Sequence, residues 1–310
     1  MSDSVAVIIP CYNEEAAIGG VIEAFREALP EAEIYVYDNN SSDDTIAVAK
    51  RHGAIVGTEN RQGKGNVVRR MFSDIDADIY VLADGDGTYD APSAEMMIRK
   101  LKEERLDMVV GVRKVAENTG EAYRSGHEWG NLMFNRIFRA CFGDVFTDIL
   151  SGYRVFSRRF VKSFPALSSG FEIESEISIH AAELMLPVAE VHTPYYSRPE
   201  GSTSKLSTYR DGWRILMTIM WLFKEVSPLR FFGFAAALFA LISMLFGAPV
   251  ILTWLETGLV PRLPTAVLAT GLGILSAVSL TAGLVLDSVC RGRLETKRLA
   301  YLGAAPKARR

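Results

Sequence analysis

Short apolar runs alternate with amphipathic segments over the first 110 residues of the chain. Val5–Pro10, Glu33–Asp38, Ala54–Gly57, Ile79–Asp84 and Asp107–Gly111 read as strands. Between them Glu14–Leu29, Asp43–His52, Lys64–Ile75 and a segment opened by Pro92 and running to about Glu104 read as helices. Strands alternating with helices predict βαβ units and a largely parallel sheet, an α/β Rossmann-like architecture. Further on the period blurs, with helices predicted over Gly126–Phe142 and Glu172–Leu186 and a strand over Val188–Tyr195.

The pattern then changes character. In 207–226 one helical stripe carries Tyr209, Trp213, Leu216, Met220 and Phe223, opposite Arg210, Asp211, Arg214 and Thr218. A helix of this kind suits a membrane interface. Phe231–Leu255 and Pro264–Cys290 follow as long, mostly apolar runs. About 20 such residues cross the roughly 30 Å hydrocarbon layer, so two spans are predicted. Lys224 and Arg230 precede the first; Arg291, Arg293, Lys297, Arg298, Lys307, Arg309 and Arg310 follow the second. The positive-inside rule puts the large domain and the tail on the cytoplasmic side. The expected organisation is therefore a soluble domain over 1–206, an interface helix over 207–230, a two-helix transmembrane hairpin over 231–290 and a basic cytoplasmic tail over 291–310.

Composition narrows the class. A net charge of −3 over 310 residues excludes a general nucleic-acid binder. Cys11, Cys141 and Cys290 form no C-x-x-C pair, so neither a disulfide framework nor a zinc site is expected. The N-terminus has no basic stretch leading into an apolar one, so no signal peptide is expected.

Candidate chemistry sits at the strand ends. Pro10-Cys11-Tyr12-Asn13-Glu14-Glu15 closes the first strand, where Tyr12 is placed to cover a base. Asp38, ending the second strand, can accept hydrogen bonds from a base or ribose, whereas Ser42 and Asp43 suit helix capping. Arg61-Gln62-Gly63-Lys64-Gly65-Asn66 opens a helix and suits an anion or base contact, although its spacing is not that of a P-loop. Asp84-Gly85-Asp86 ends the fourth strand, with Gly85 letting a ligand approach the main chain. Hard carboxylate oxygens there suit Mg²⁺ or Mn²⁺ shared with substrate phosphates.

These motifs, in this order, resemble the family 2 glycosyltransferases with the GT-A fold. Asp148-Ile149-Leu150-Ser151-Gly152-Tyr153-Arg154 and Arg198-Pro199-Glu200-Gly201-Ser202-Thr203-Ser204-Lys205 resemble elements of the polyprenyl-phosphate and dolichyl-phosphate sugar transferases. The resemblance implies nucleotide contacts at Pro10, Tyr12, Glu14, Asp38, Lys64, Asp84 and Gly85, and Asp86 as the metal ligand with Asp84 as a second candidate. It implies phosphate-binding arginines at Arg113, Arg124 and Arg198, and a lipid-phosphate site at Ser204 and Lys205. Asp148 either orients an arginine or serves as an auxiliary base. Two departures stand out. The usual D-D-G is Asp38-Asn39-Asn40 here, and the glutamine of D-x-D-x-Q is replaced by Thr88, itself a candidate for the metal shell.

The expected activity is transfer of a sugar from a UDP- or GDP-linked donor to a polyprenyl (undecaprenyl or dolichyl) phosphate at a bacterial plasma membrane, with inversion. A homo-oligomer is compatible with the sequence. Extension of a lipid-linked saccharide and a non-catalytic nucleotide-sugar-binding membrane protein are the competing readings. A processive polysaccharide synthase is disfavoured, because Gln62 is the only glutamine and no Q-x-x-R-W motif exists.

Overall fold

The computed structural model describes residues 3–115, 145–197 and 223–304, with residues 139, 143, 217, 220 and 221 besides. The chain forms two compact units, Met1–Leu216 with Lys297–Arg310, and Met217–Thr296. Most of the helices predicted over 126–142 and 207–226 lies outside the described residues.

In the first unit, β1 (Val5–Cys11), α1 (Glu15–Ala28), β2 (Glu33–Asp38), α2 (Thr45–Arg51), β3 (Ile55–Thr58), α3 (Lys64–Asp74), β4 (Ile79–Leu82) and α4 (Ser93–Glu103) follow one another as the periodicity predicts. After them come β5 (Met108–Val115), β6 (Arg154–Ser157), α5 (Arg158–Ser163), α6 (Ile173–Glu183) and β7 (Val188–Tyr195). The sheet runs β3-β2-β1-β4-β6-β5-β7, parallel except for β6, which pairs antiparallel with both β4 and β5. It is the mostly parallel α/β sheet of the GT-A architecture. β5 runs past the predicted Gly111, so Arg113 lies within the strand instead of after it.

Sequence periodicity gives no sign of β6, for a physical reason. It is only four residues long and begins with an arginine, which argues against a central strand. Arg154 is nevertheless fully buried. Its Nε donates to the Ser151 carbonyl at 2.8 Å, and Nη2 donates to the Ile149 carbonyl and Ser178 Oγ, each at 2.9 Å. Burial pulls its pKa down to about 10, against the attraction of Glu174 and Asp148. The guanidinium fixes the 149–151 turn to α6.

Because adjacent strand residues point to opposite faces, the sheet builds two cores. On one face Val7, Ile9, Val81 and Val155 meet Ile18, Ile22 and Phe25 of α1 and Met97 and Leu101 of α4. The other face is aromatic. Phe72 meets Tyr80, Phe156 and Phe164 edge-on, and Phe160 stacks on Phe156 with centroids 4.9 Å apart. His180 stands edge-on to Phe160 and Phe164, with both ring nitrogens buried and unpartnered. Burial, helped by the nearby Lys297 charge, pushes its pKa down to about 3.

The second unit holds α7 (Pro228–Thr257, 30 residues) and most of α8 (Leu263–Gly303, 41 residues). Small and hydroxyl residues join the two. Ser243 Oγ donates to the Ala269 carbonyl at 2.7 Å, Ser276 Oγ to the Ala236 carbonyl at 2.8 Å, and Gly283 leaves room for Phe232. Their other faces are bare: Phe234 on α7 is 74% and Val267 on α8 64% exposed. A buried core helix does not present such side chains to water. Both helices are long and apolar enough to cross a membrane.

α8 continues beyond the predicted span end at Cys290, and its last turns belong to the first unit. Lys297 pairs with Glu183 at 2.7 Å, and the Tyr301 hydroxyl donates to Asp107 Oδ2 at 2.7 Å. Asp107, 1% exposed, also accepts from Ser157 Oγ and Arg159, whose guanidinium lies 4.3 Å from the Tyr301 ring centroid.

Two outcomes follow for unfolding of the full-length protein in detergent. The unfolded chain takes up a proton at His180 near pH 6.5, whereas the folded chain does so only near pH 3. Stability is therefore lost as pH falls between these values, by about 1.4 kcal/mol per unit. His180→Phe should remove about 2 kcal/mol of the difference between pH 7 and pH 5. Tyr301→Phe should cost about 1–2 kcal/mol by leaving Asp107 one donor short.

Candidate active site

The carboxyl ends of β1, β2 and β4 lie side by side, as the parallel register requires. Pro10 and Cys11 end β1 buried, and Tyr12 follows with 39% exposure. The next turn is stitched to the β2–α2 loop. Asn13, at φ 53°, donates its N–H to Ser41 Oγ and accepts from the Ser42 N–H, and the Glu14 N–H donates to Thr45 Oγ1 at 2.8 Å. The N-cap of α2 falls on Asp44, but Asp43 Oδ1 accepts the Thr45 N–H, so it still supports the helix start.

Asp38 is buried, and its Oδ2 accepts the Ser41 N–H at 3.0 Å. Its Oδ1 is buried with no hydrogen-bond partner. An unpaired carboxylate oxygen is costly to bury, and a base N–H would relieve it. Asn39 explains the first departure from the family pattern. Its Nδ2 donates to the carbonyls of Glu59 and Arg61, each at 2.8 Å, while Oδ1 accepts the Gly63 N–H at 2.6 Å. Asn40 donates to the Asn60 carbonyl at 2.9 Å. An aspartate at 39 would face those carbonyls with no donor, so the amide goes with the shape of the 59–63 loop.

Backbone amides of that loop, expected at an anion or base contact, are engaged within the chain. The Gly65 N–H donates to the Gly170 carbonyl at 3.1 Å and the Asn66 N–H to Ser169 at 3.3 Å. A Cβ at Gly63 or Gly65 would collide with the carbonyls of Ser169 and Ser168, respectively. Gly63, at φ 127°, also needs a conformation that side chains resist. The glycines admit the 168–170 backbone to the start of α3, and those amides are already engaged.

Lys64, the first residue of α3, does not point to solvent. Its ammonium lies between Asp84 and Glu174, with Glu174 Oε1 2.6 Å away. Burial opposes its charge, yet the two carboxylates outweigh this and raise its pKa above the usual value. Gly152 closes the back, since a Cβ there would lie 2.8 Å from Asp84 Oδ2 and 3.0 Å from Lys64 Nζ. The Gly152 N–H donates to the Tyr89 hydroxyl at 2.9 Å, and Tyr89 stacks on Tyr153. Glu174 and Tyr89 escaped the sequence reading, and Gly152 entered it only as part of the Asp148–Arg154 element. Glu174 is one of three acidic residues at a helix start, where caps and dipole partners are common.

Asp86 is 5% exposed, and its Oδ1 accepts from Thr88 Oγ1 at 2.7 Å and the Thr88 N–H at 3.2 Å. Thr88, buried, orients this carboxylate in the present arrangement. Gly85 proves to be a packing requirement, because a Cβ would stand 2.5 Å from Cys11 Sγ. Among the described residues no cluster of three or more histidine, cysteine, aspartate or glutamate side chains is placed to hold a metal. Asp84 and Asp86 fit Mg²⁺ or Mn²⁺ as a partial donor set, completed by phosphate oxygens and water. The loop is pinned to the end of β7, with the Tyr196 N–H donating to the Thr88 carbonyl at 2.9 Å.

Arg113 forms a two-pronged pair with Asp148: Nε to Oδ2 and Nη2 to Oδ1, both 2.8 Å. Asp148 is itself held, as Glu190 Oε1 accepts its N–H at 3.3 Å and that of Thr147 at 2.7 Å. The structure thus brings together Pro10, Tyr12, Glu14, Asp38, Asp84 and Asp86 at neighbouring strand ends, with Lys64 reaching Asp84 from the start of α3, and pairs Arg113 with Asp148. Arg124, Arg198, Ser204 and Lys205 lie outside the described residues.

Strand ends carrying a paired-carboxylate turn suit a diphosphate-bearing ligand, and comparison with known proteins identifies the class as sugar-transferring enzymes. The glycosyl transferase family 2 profile matches residues 6–164. Glycosyltransferase AglJ of Haloferax volcanii is 37% identical over 232 residues, covering 74% of this chain and 76% of its own. Protein RfbJ of Shigella flexneri is 58% identical over 127 residues, covering 41% and 97%. Glucosyl-3-phosphoglycerate synthase from Mycobacterium tuberculosis, crystallised with Mn²⁺, UDP and glucosyl-3-phosphoglycerate, superposes with a TM-score of 0.57 at 22% identity, covering 70% of this chain and 80% of that one. At that identity it shares the fold. The chain belongs to glycosyl transferase family 2, and it is a glycosyltransferase that uses a nucleotide sugar.

Asn39→Asp restores the usual family letter but removes two donors and sets a charge against carbonyl oxygens. It should raise the KM for the nucleotide sugar about tenfold or more, as losing buried hydrogen bonds implies. Steady-state kinetics at saturating acceptor would show it.

Proposed function

We propose that this enzyme transfers a sugar from a nucleotide-diphosphate sugar to a polyprenyl phosphate at the cytoplasmic leaflet, with inversion at the anomeric carbon. The observation that carries this reading is the pairing of a carboxylate-lined nucleotide edge with two helices whose apolar faces are bare. An acceptor in a membrane gives such helices a purpose, and the basic residues flanking them favour the cytoplasmic side.

In this reading Asp38 takes an N–H of the base, with Tyr12 against the ring and Glu14 at the adjoining turn. Asp86, aligned by Thr88, and Asp84 hold the divalent ion, which when bound supplies positive charge to the departing diphosphate. Arg113 contributes a cation at the end of β5, fixed in direction by both oxygens of Asp148. That engagement favours the orienting role for Asp148 over the basic one. A phosphate acceptor is already anionic near neutral pH, so the reaction needs positioning and charge stabilisation in place of a strong base. Arg124, Arg198, Ser204 and Lys205 are assigned to the acceptor and donor phosphates on the strength of the sequence motifs.

Membranes containing the full-length protein should convert polyprenyl phosphate to a lipid-linked sugar from a UDP- or GDP-sugar in the presence of Mn²⁺ or Mg²⁺. Asp86→Ala should lower that rate at least a hundredfold, in line with loss of a metal ligand. Transfer that survives the substitution, or that requires a preformed lipid-linked saccharide, would overturn the proposal.

A further inference from the structure

Resting on the metal–nucleotide reading of the same edge, we infer that Glu174 is a positioning residue for donor binding. It is a second counter-ion for Lys64 that lets Asp84 turn toward an incoming metal–diphosphate. The three charged groups are ordered from outside to inside. The Asp84 side chain is 28% exposed, against 9% for Lys64 and 8% for Glu174. Asp84 also reaches a cavity of about 550 Å³ lined mainly by α1, with Gly87 and Tyr89 beside it, whereas Glu174 does not. The acceptor of positive charge that a ligand can reach is therefore Asp84, and Glu174 stands behind it.

This order matters because one ammonium serves two carboxylates. A divalent ion arriving at Asp84 and Asp86 competes with Lys64 for Asp84. An ammonium with a single partner would resist, since leaving would strand its charge in a shielded place. With Glu174 Oε1 2.6 Å away, Lys64 keeps a full counter-charge whichever way Asp84 turns. The surroundings hold this geometry fixed. Gly152 leaves no slack behind Asp84, and the Leu167 and Ser168 N–H groups are held by Glu176, two residues along α6. The Ser168–Gly170 backbone also seats against the start of α3, which carries Lys64. Glu174 thus approaches Lys64 from a segment docked to the same helix end.

The test is isothermal titration of the full-length protein in detergent with UDP, and separately GDP, at a series of Mn²⁺ concentrations. Glu174→Gln keeps the size of the side chain and removes its charge. It should weaken Mn²⁺-dependent nucleotide binding about tenfold, raise the Mn²⁺ concentration for half-maximal transfer by a similar factor, and leave kcat at saturating Mn²⁺ within about twofold. Lys64→Met combined with Glu174→Gln removes the competing cation, so it should bind no more weakly than Lys64→Met alone. That second comparison stands even if Glu174→Gln alone folds poorly, because the double variant leaves no unpaired charge between the two positions. Binding by Glu174→Gln within twofold of the parent protein, or a further tenfold loss in the double variant, would overturn the inference while leaving the functional reading intact. A parent protein that binds neither nucleotide in a Mn²⁺-dependent way would overturn both.

Discussion

The shared ammonium of Lys64 is the contact on which the functional edge depends. It joins the start of α3 to the carboxylate turn after β4 and to the start of α6, three segments separated by long stretches of chain. A charge buried this deeply needs a counter-charge at hand, and Lys64 has two, so that one remains when the other is drawn elsewhere. The glycines at 63, 65 and 152 are geometric conditions for that contact: each lets backbone or a charged atom come closer than a side chain permits. Electrostatics and sterics therefore specify the same arrangement.

The sheet shows a parallel division of labour. β6 enters antiparallel between β4 and β5, and its first residue holds the 149–151 turn to α6 through Arg154. That turn follows directly on Asp148, which directs Arg113, and Glu190 on β7 secures the same stretch from the other side. The arginine of the site is consequently braced by elements from the far edge of the sheet. The edge that carries Asp38 is braced by loops near β1 and β2. The two halves meet at Gly152 and Tyr89.

How much of this was legible in the sequence depended on whether a signal was local. β1 through α4 follow from periodicity, because each apolar run is bounded by its own turn. β7 matches its predicted bounds, Val188–Tyr195. β6 and α5 were not legible, because an arginine at a strand start reads as surface and its partners lie on other elements. The strand-end positions of Asp38, Asp84 and Asp86 could be read from their motifs. Glu174, Asn39 and Gly152 could not be assigned, since each works on a segment distant in sequence. Gly85 was legible as a required glycine but not in its purpose, which is the Cys11 sulfur beneath it.

The engaged amides at the start of α3 carry a consequence for how such a chain can change. Two glycines near residue 64 and a turn a hundred positions later fit one another like a key and its ward. Neither can drift alone: a side chain on one side demands a withdrawn backbone on the other. The R-Q-G-K-G-N and 168–170 segments must therefore evolve as a single unit, although nothing in the order of the chain puts them together.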